Sequence, residues 1–247
     1  MNRIEESKIV TTSIIGIDSN KTICQIQRLM DMIYGGETFG EIDIDFFDIN
    51  GSVLLYGIPG VGKTTIAMNC IFYCLEKYGV EAYTFDTSEI IVSNLGESTK
   101  NLHEELERFA MLERGILFID ELDRLCINRN NKDEISELKR MLIEFMDFLD
   151  TNTLVSKKIV IACTNVINQL DTALIRRFSI VKKIGEPSLE DKLQFTLRCM
   201  KKCGREGKKV NNKVLKKYKT LDAIKHGFRE AILDDRLEDF INSIAEV

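Results

Sequence analysis

What this 247-residue chain lacks narrows its possibilities first. No apolar run approaches the ~18 residues that a membrane span needs, and the opening "MNRIEESKIVTTSIIGID" has no uninterrupted apolar stretch of the kind a signal peptide uses. The expectation is a soluble, cytoplasmic protein with no membrane contact. Histidine occurs only at His103 and His226, and the seven cysteines form no CxxC pair; Cys70 and Cys74, like Cys199 and Cys203, stand four apart. Reduced structural thiols are therefore expected rather than a metal centre or a disulfide framework. Excess positive charge is missing too, and a net charge of −5 argues against a nucleic-acid coat. Internal repeats and low-complexity tracts are also absent.

What is present is ample material for a core, since 44% of residues are hydrophobic. Short apolar or β-branched runs occur at "SVLLYG" (52–57), "EAYTFD" (81–86), "GILFID" (115–120), "KIVIACTN" (158–165) and "SIVKKIG" (179–185), with helical patterns between them. This alternation predicts an α/β fold with a parallel five-stranded sheet flanked by helices. After Pro187 the strand-like runs stop, and the remaining residues read as three or four helices. The division expected is an N-terminal segment over 1–50, an α/β domain over 51–186 and a small helical domain over 187–247. One stretch of the tail departs from the overall charge. Residues 201–219, "KKCGREGKKVNNKVLKKYK", hold nine basic residues against one acid, which leaves −13 on the rest of the chain.

The most informative stretch is "GIPGVGKTT": Gly57, Ile58, Pro59, Gly60, Val61, Gly62, Lys63, Thr64 and Thr65. It follows an apolar strand and opens a long helical pattern, in the order G-x-x-x-x-G-K-T of a P-loop. The glycines let successive backbone N–H groups turn inward around phosphates, and the helix start adds its positive dipole end. Lys63 would reach the β- and γ-phosphates of ATP, and Thr64 would offer its hydroxyl to Mg²⁺.

"ILFIDELD" (116–123) is a buried strand that delivers Asp120 and Glu121 to its C-terminal end, where ligands of open parallel sheets collect. Asp120 would hold Mg²⁺ through water, and Glu121 would orient and activate the attacking water. "IVIACTN" (159–165) ends a further buried strand in Asn165, placed to hydrogen-bond the γ-phosphate or that water. A turn asparagine is the alternative reading.

From Ser52 to Pro187 the chain resembles the AAA ATPase module of the AAA+ superfamily, nearest the subgroup that contains katanin, spastin and fidgetin. The residues that carry the resemblance are "LLYGIPGVGKTTIA", "GESTKNL" (96–102), "FIDELDRLCINR" (118–129), "ACTN" (162–165) and "LDTALIRRF" (170–178). The helical tail matches, more loosely, the lid of such proteins. The resemblance implies a P-loop NTPase fold and a ring, usually a hexamer, with ATP and Mg²⁺ at each subunit junction. Arg176 and Arg177 would be arginine fingers that reach the neighbouring subunit's site, and Asn165 the sensor asparagine. Otherwise the two arginines form a pair capping a helix end. "HGFREAI" resembles the second sensor of other AAA+ rings and would put Arg229 on the γ-phosphate from the lid, the alternative being a solvated arginine on an amphipathic helix.

Two departures from that pattern bear on function. Asn94 stands where the family has the aromatic residue that grips a threaded polypeptide, and His103 replaces an arginine that follows the glycine motif. Only about fifty residues precede the P-loop, too few for a folded recruiting domain. Two functions follow as expectations. In the first, the chain is a ring-forming ATPase that remodels a protein client brought by a partner. In the second, it is an ATP-controlled assembly switch or loader acting on a partner through residues 201–219. Nucleic acid is a possible but less favoured target of that stretch, whose simpler reading is a solvated lid helix.

Overall fold

A computed structural model of the protein describes residues 1–5, 17–36, 47–85, 87–91, 96–125, 132–151, 156–205, 207 and 209–245. Six strands form one sheet: β1 (Asn2–Arg3), β2 (Ser52–Tyr56), β3 (Ala82–Thr84), β4 (Gly115–Ile119), β5 (Lys158–Thr164) and β6 (Ile180–Lys183), in the order β1-β3-β4-β5-β2-β6. The five strands from β2 to β6 run parallel, as the sequence pattern predicts. The sixth is a surprise. β1 pairs antiparallel with β3 and adds one further bond from the Ile4 N–H to the Ala82 carbonyl, 2.8 Å. Two paired residues are too few to show any periodicity in the sequence, which is why this edge is invisible there.

Alternation along the strands splits the apolar side chains between two cores. Val53 and Leu55, Ile116 and Phe118, and Ile159, Ile161 and Cys163 face one side, where α1 (Ile17–Tyr34) and α2 (Lys63–Tyr78) cover them. Leu54, Leu117, Ile119, Val160 and Ala162 face the other, against α4 (Glu97–Ala110) and α5 (Lys132–Thr151). Helix α1 therefore belongs to the body: Ile26, Leu29, Met30 and Ile33 are buried at i, i+3, i+4 and i+7. Asp31 ties it to α2 by accepting hydrogen bonds from the Tyr73 and Tyr78 hydroxyls at 2.7 and 2.6 Å and from Lys77 Nζ at 3.0 Å.

After Pro187 come α7 (Leu189–Lys202), α8 (Asn212–Leu215), α9 (Leu221–Leu233) and α10 (Leu237–Ile244). Helix α7 starts sharply because Ser188 and Asp191 cap each other, side chain to backbone N–H in both directions. These helices enclose an apolar cluster of their own around Met200, Leu215, Ile224, Phe228 and Ile241. Short segments of the body include α3 (Thr87–Ile90), α6 (Thr172–Ile175) and 3-10 turns over Leu122–Leu125 and Ile167–Gln169. Among the described residues no helix is long and apolar enough to cross a membrane.

Candidate active site

The P-loop follows β2 at its C-terminal end, and its shape depends on glycine at two positions. Gly57 has φ 152°, and a Cβ there would stand 2.3 Å from the Ile184 carbonyl oxygen, so no side chain fits beside the end of β6. Gly60 has φ 79°, and a Cβ would press on Thr220 Oγ1 at 3.2 Å, just before α9. Ile58, Pro59 and Gly60 are exposed, while Val61 is buried under the loop. Helix α2 then begins at Lys63 with no side chain capping its first turn. Its leading N–H groups and dipole are available to an anion. Thr65, in that first turn, is half-buried.

Lys63 is only 7% exposed. Its Nζ donates to the Gly57 carbonyl at 2.8 Å, the Ile58 carbonyl at 3.1 Å and Asn165 Oδ1 at 2.8 Å. Burial pulls its pKa below that of an ordinary lysine, and nearby Cys163, Asp120 and Asp123 pull the other way. Thr64 Oγ1 donates to Asp120 Oδ2 at 2.9 Å. The residues predicted for phosphate, metal and sensor roles thus converge: Lys63 on Asn165, and Thr64 on Asp120. A hydroxyl and a carboxylate so close supply hard oxygens of the kind that would suit Mg²⁺.

Glu121 sits one residue beyond Asp120, whose Oδ1 accepts the Glu121 N–H at 3.0 Å. Its φ of 53° is left-handed, a conformation that non-glycine residues adopt at a cost of about 1–3 kcal/mol and that concentrates at functional sites. Glu121 Oε2 pairs with Arg124 at 2.6 Å, a contact that the sequence reading does not include. It also gives Asp123 no role, although that residue is the third acid of "DELD". In the structure Asp123 is buried, and its Oδ1 accepts from Thr164 Oγ1 at 2.7 Å and from the Asn165 N–H at 3.2 Å.

The two arginines lie elsewhere. The Arg177 carbonyl accepts from Asn50 Nδ2 at 2.9 Å and Ser52 Oγ at 3.1 Å, at the N-terminal start of β2, opposite to the P-loop end of the strand. Five residues of strand separate the two ends, about 16 Å at ~3.3 Å per residue. Arg177 Nε bonds both carboxylate oxygens of Asp150, at 2.8 and 3.0 Å, and its Nη1 bonds the Ala173 carbonyl at 3.0 Å. Arg176 is exposed. A cavity of about 400 Å³ joins the P-loop to the tail helices, lined by Gly60, Gly62 and Thr65, by Phe195, Arg198 and Lys202 of α7 and by Leu221, Asp222 and Lys225 of α9. Arg229 is exposed one turn beyond Lys225, outside the described lining. Asn94 lies outside the described residues. His103 bonds Glu144 across α4 and α5, Nδ1 to Oε1 2.6 Å.

Comparisons with known proteins fit this geometry. The family model "ATPase family associated with various cellular activities (AAA)" matches residues 53–186, more than half of the chain. The chain belongs to the AAA family of ATPases, a family of ATP hydrolases with a P-loop α/β fold. It is 32% identical over 139 residues to an uncharacterized AAA family ATPase of Sinorhizobium fredii, covering 56% of this chain and 40% of that one. It is 31% identical over 154 residues to the human ATPase family gene 2 protein homolog A, covering 61% and 17%. With spastin of Naegleria gruberi it shares 29% over 131 residues, covering 51% and 24%. The matched stretch is thus well under two thirds of each of these relatives. They do not single out the katanin and spastin subgroup. Among solved structures, a chain from "Structure of E. coli MS115-1 HORMA:CdnC:Trip13 complex" superposes with a TM-score of 0.70 over 95% of this chain and 91% of that one, at 14% identity. At that identity the likeness speaks for the fold alone.

Proposed function

We propose that the chain is one subunit of a ring-forming, Mg²⁺-dependent ATPase that remodels a protein client. The observation that carries this reading is the distance between the two ends of β2. The phosphate machinery stands at one end, while Arg177 is fixed and Arg176 exposed at the other, beyond reach of their own P-loop. A cation so placed has catalytic use only in a neighbouring subunit's site, where it would stabilise charge developing on the γ-phosphate. A head-to-tail contact of that kind generates a ring when it closes.

Within one subunit the chain's residues divide the work. The P-loop N–H groups and Lys63 hold the phosphates, and residues 187–247, as the lid, close over the rest of the nucleotide. Mg²⁺, held by Thr64 directly and by Asp120 through water, would neutralise phosphate charge. Glu121 takes a proton from the attacking water, and Asn165 holds that water or the γ-phosphate in line. A protein client is in keeping with a solved structure of similar fold, described as a complex of Trip13 with HORMA and CdnC. The six described cysteines are free thiols, in keeping with a cytoplasmic home.

The test is the assembly state of Glu121→Gln. An amide keeps the shape but cannot take the proton, so turnover should fall by about 10²–10⁴-fold while ATP stays bound. With ATP and Mg²⁺ light scattering should then report a stable ring. A strict monomer under those conditions contradicts the proposal. Stimulation of wild-type turnover by an unstructured protein, and not by DNA, would support a protein client over the loader alternative.

A further inference from the structure

We infer that Asp123 is a positioning residue for hydrolysis, setting the Asn165 amide in front of Lys63 by clamping the end of β5. The inference rests on the reading of Asn165 as the group that faces the γ-phosphate or the attacking water. Asp123 lies in the 3-10 turn that follows the acidic pair and is 8% exposed. A carboxylate withdrawn from water that far needs donors. Among the described residues, two donors meet it, both from the end of β5: Thr164 Oγ1 at 2.7 Å and the Asn165 N–H at 3.2 Å, each on Oδ1. Thr164 is itself buried, and its hydroxyl accepts the Val166 N–H at 3.2 Å. The backbone on either side of Asn165 is therefore held, and its side chain is left to reach forward. It does so onto Lys63 Nζ at 2.8 Å.

An unbroken chain of bonds thus runs from the turn after β4, through the end of β5, to the P-loop lysine. Asp120 and Glu121 serve other partners, Thr64 and Arg124. Of the three acids, Asp123 is the one whose described bonds include Asn165. Misplacing a catalytic group by about 1 Å can cost on the order of 10²-fold in rate. A clamp on the Asn165 backbone is therefore expected to act on the chemical step more than on nucleotide affinity.

Steady-state ATP hydrolysis with Mg²⁺ by the full chain separates these effects. Asp123→Ala should lower kcat by about 10- to 100-fold, with KM changed by less than about threefold. Asp123→Asn keeps an acceptor at Oδ1 and should recover turnover to within about fivefold of wild type. The double variant Asp123→Ala/Asn165→Ala should be no slower than Asn165→Ala alone, because both changes remove one function. If Asp123→Ala does not fold, Thr164→Val removes one donor, leaves the carboxylate in place and should lower kcat several-fold at unchanged KM. Multiplying effects of Asp123→Ala and Asn165→Ala, or a loss of activity that follows only the folded fraction in thermal melts, would overturn the inference. Slow turnover by Asn165→Ala beside normal turnover by Asp123→Ala or Thr164→Val would overturn it while leaving the role of Asn165 intact. Normal turnover by Asn165→Ala would overturn that role and this inference together.

Discussion

The two ends of β2 differ in kind. At the C-terminal end, groups from β2, α2, β4 and β5 converge, and every charged side chain there has a partner of complementary chemistry: Lys63 on Asn165, Asp120 on Thr64, Glu121 on Arg124. At the N-terminal end, Asn50, Ser52 and Ser179 lock the turn that carries two arginines, Ser52 Oγ also accepting the Ser179 N–H at 3.2 Å, and the P-loop of the same chain stands at the other end of the strand. The described residues put the P-loop and the acidic pair at one end and Arg176 and Arg177 at the other. On the proposed reading these are two halves of one site, completed by a second copy of the chain.

The comparison breaks most severely at Lys63. Lys63→Ala removes the buried cation at the phosphate end and should weaken ATP binding by about 10- to 100-fold, the worth of one or two charge-assisted bonds. Titration of a fluorescent ATP analogue reads this directly, and unchanged affinity would remove the P-loop assignment. The arginine end should stay intact in that variant.

A smaller effect, of opposite sign, is expected at Arg124. Its guanidinium holds Glu121 Oε2 in an ion pair, which must open before that oxygen can reach the attacking water. Both side chains are about half exposed, so the restraint is weak. Arg124→Ala should raise basal turnover a few-fold at unchanged KM; a fall in turnover would mean that Arg124 orients the base and does not restrain it.

The smallest effect concerns the face between α4 and α5, remote from both ends. Glu144 holds the His103 pKa above its ordinary value, chiefly through their hydrogen bond. A raised folded-state pKa gives stabilisation that is complete below the unfolded value, near 6.5, and is lost as pH rises through the folded value. The wild type should therefore melt slightly above His103→Gln in acid, with the gap closing toward alkaline pH. A gap that widens with rising pH would contradict the assignment.

Much of the body was legible because its signals are local. The central parallel strands are short apolar runs buried on both faces, and the P-loop, the acidic pair and Asn165 each follow a strand at the same edge of the sheet. The edge strand β1 was not legible, because pairing of Asn2–Arg3 with Tyr83 and Thr84 is a long-range event without a local pattern. Helix α1 did carry a signal, in the spacing of Ile26, Leu29, Met30 and Ile33, although the reading of 1–50 as a lead-in passes over it. The partners of Asp123 and Arg177 could not be seen, since hydrogen bonds between residues 41 and 27 apart depend on the finished sheet. Arg229 stays a proposed second sensor, exposed one turn beyond the cavity lining. Spacing alone does not tell which turn of α9 meets the cavity, and the structure puts Lys225 there.

The most direct test of a site shared between copies is to mix two inactive variants. One is Lys63→Ala, tested at an ATP concentration too low to fill its weakened P-loop, which keeps its arginines; the other is the double variant Arg176→Ala/Arg177→Ala, which holds ATP but donates nothing. In a ring of head-to-tail contacts, an equal mixture should recover about a quarter of wild-type turnover, since half the subunits keep a working P-loop and half of those have a donor beside them. Turnover that stays at the level of the separate variants, in mixtures shown to co-assemble, would contradict the shared site.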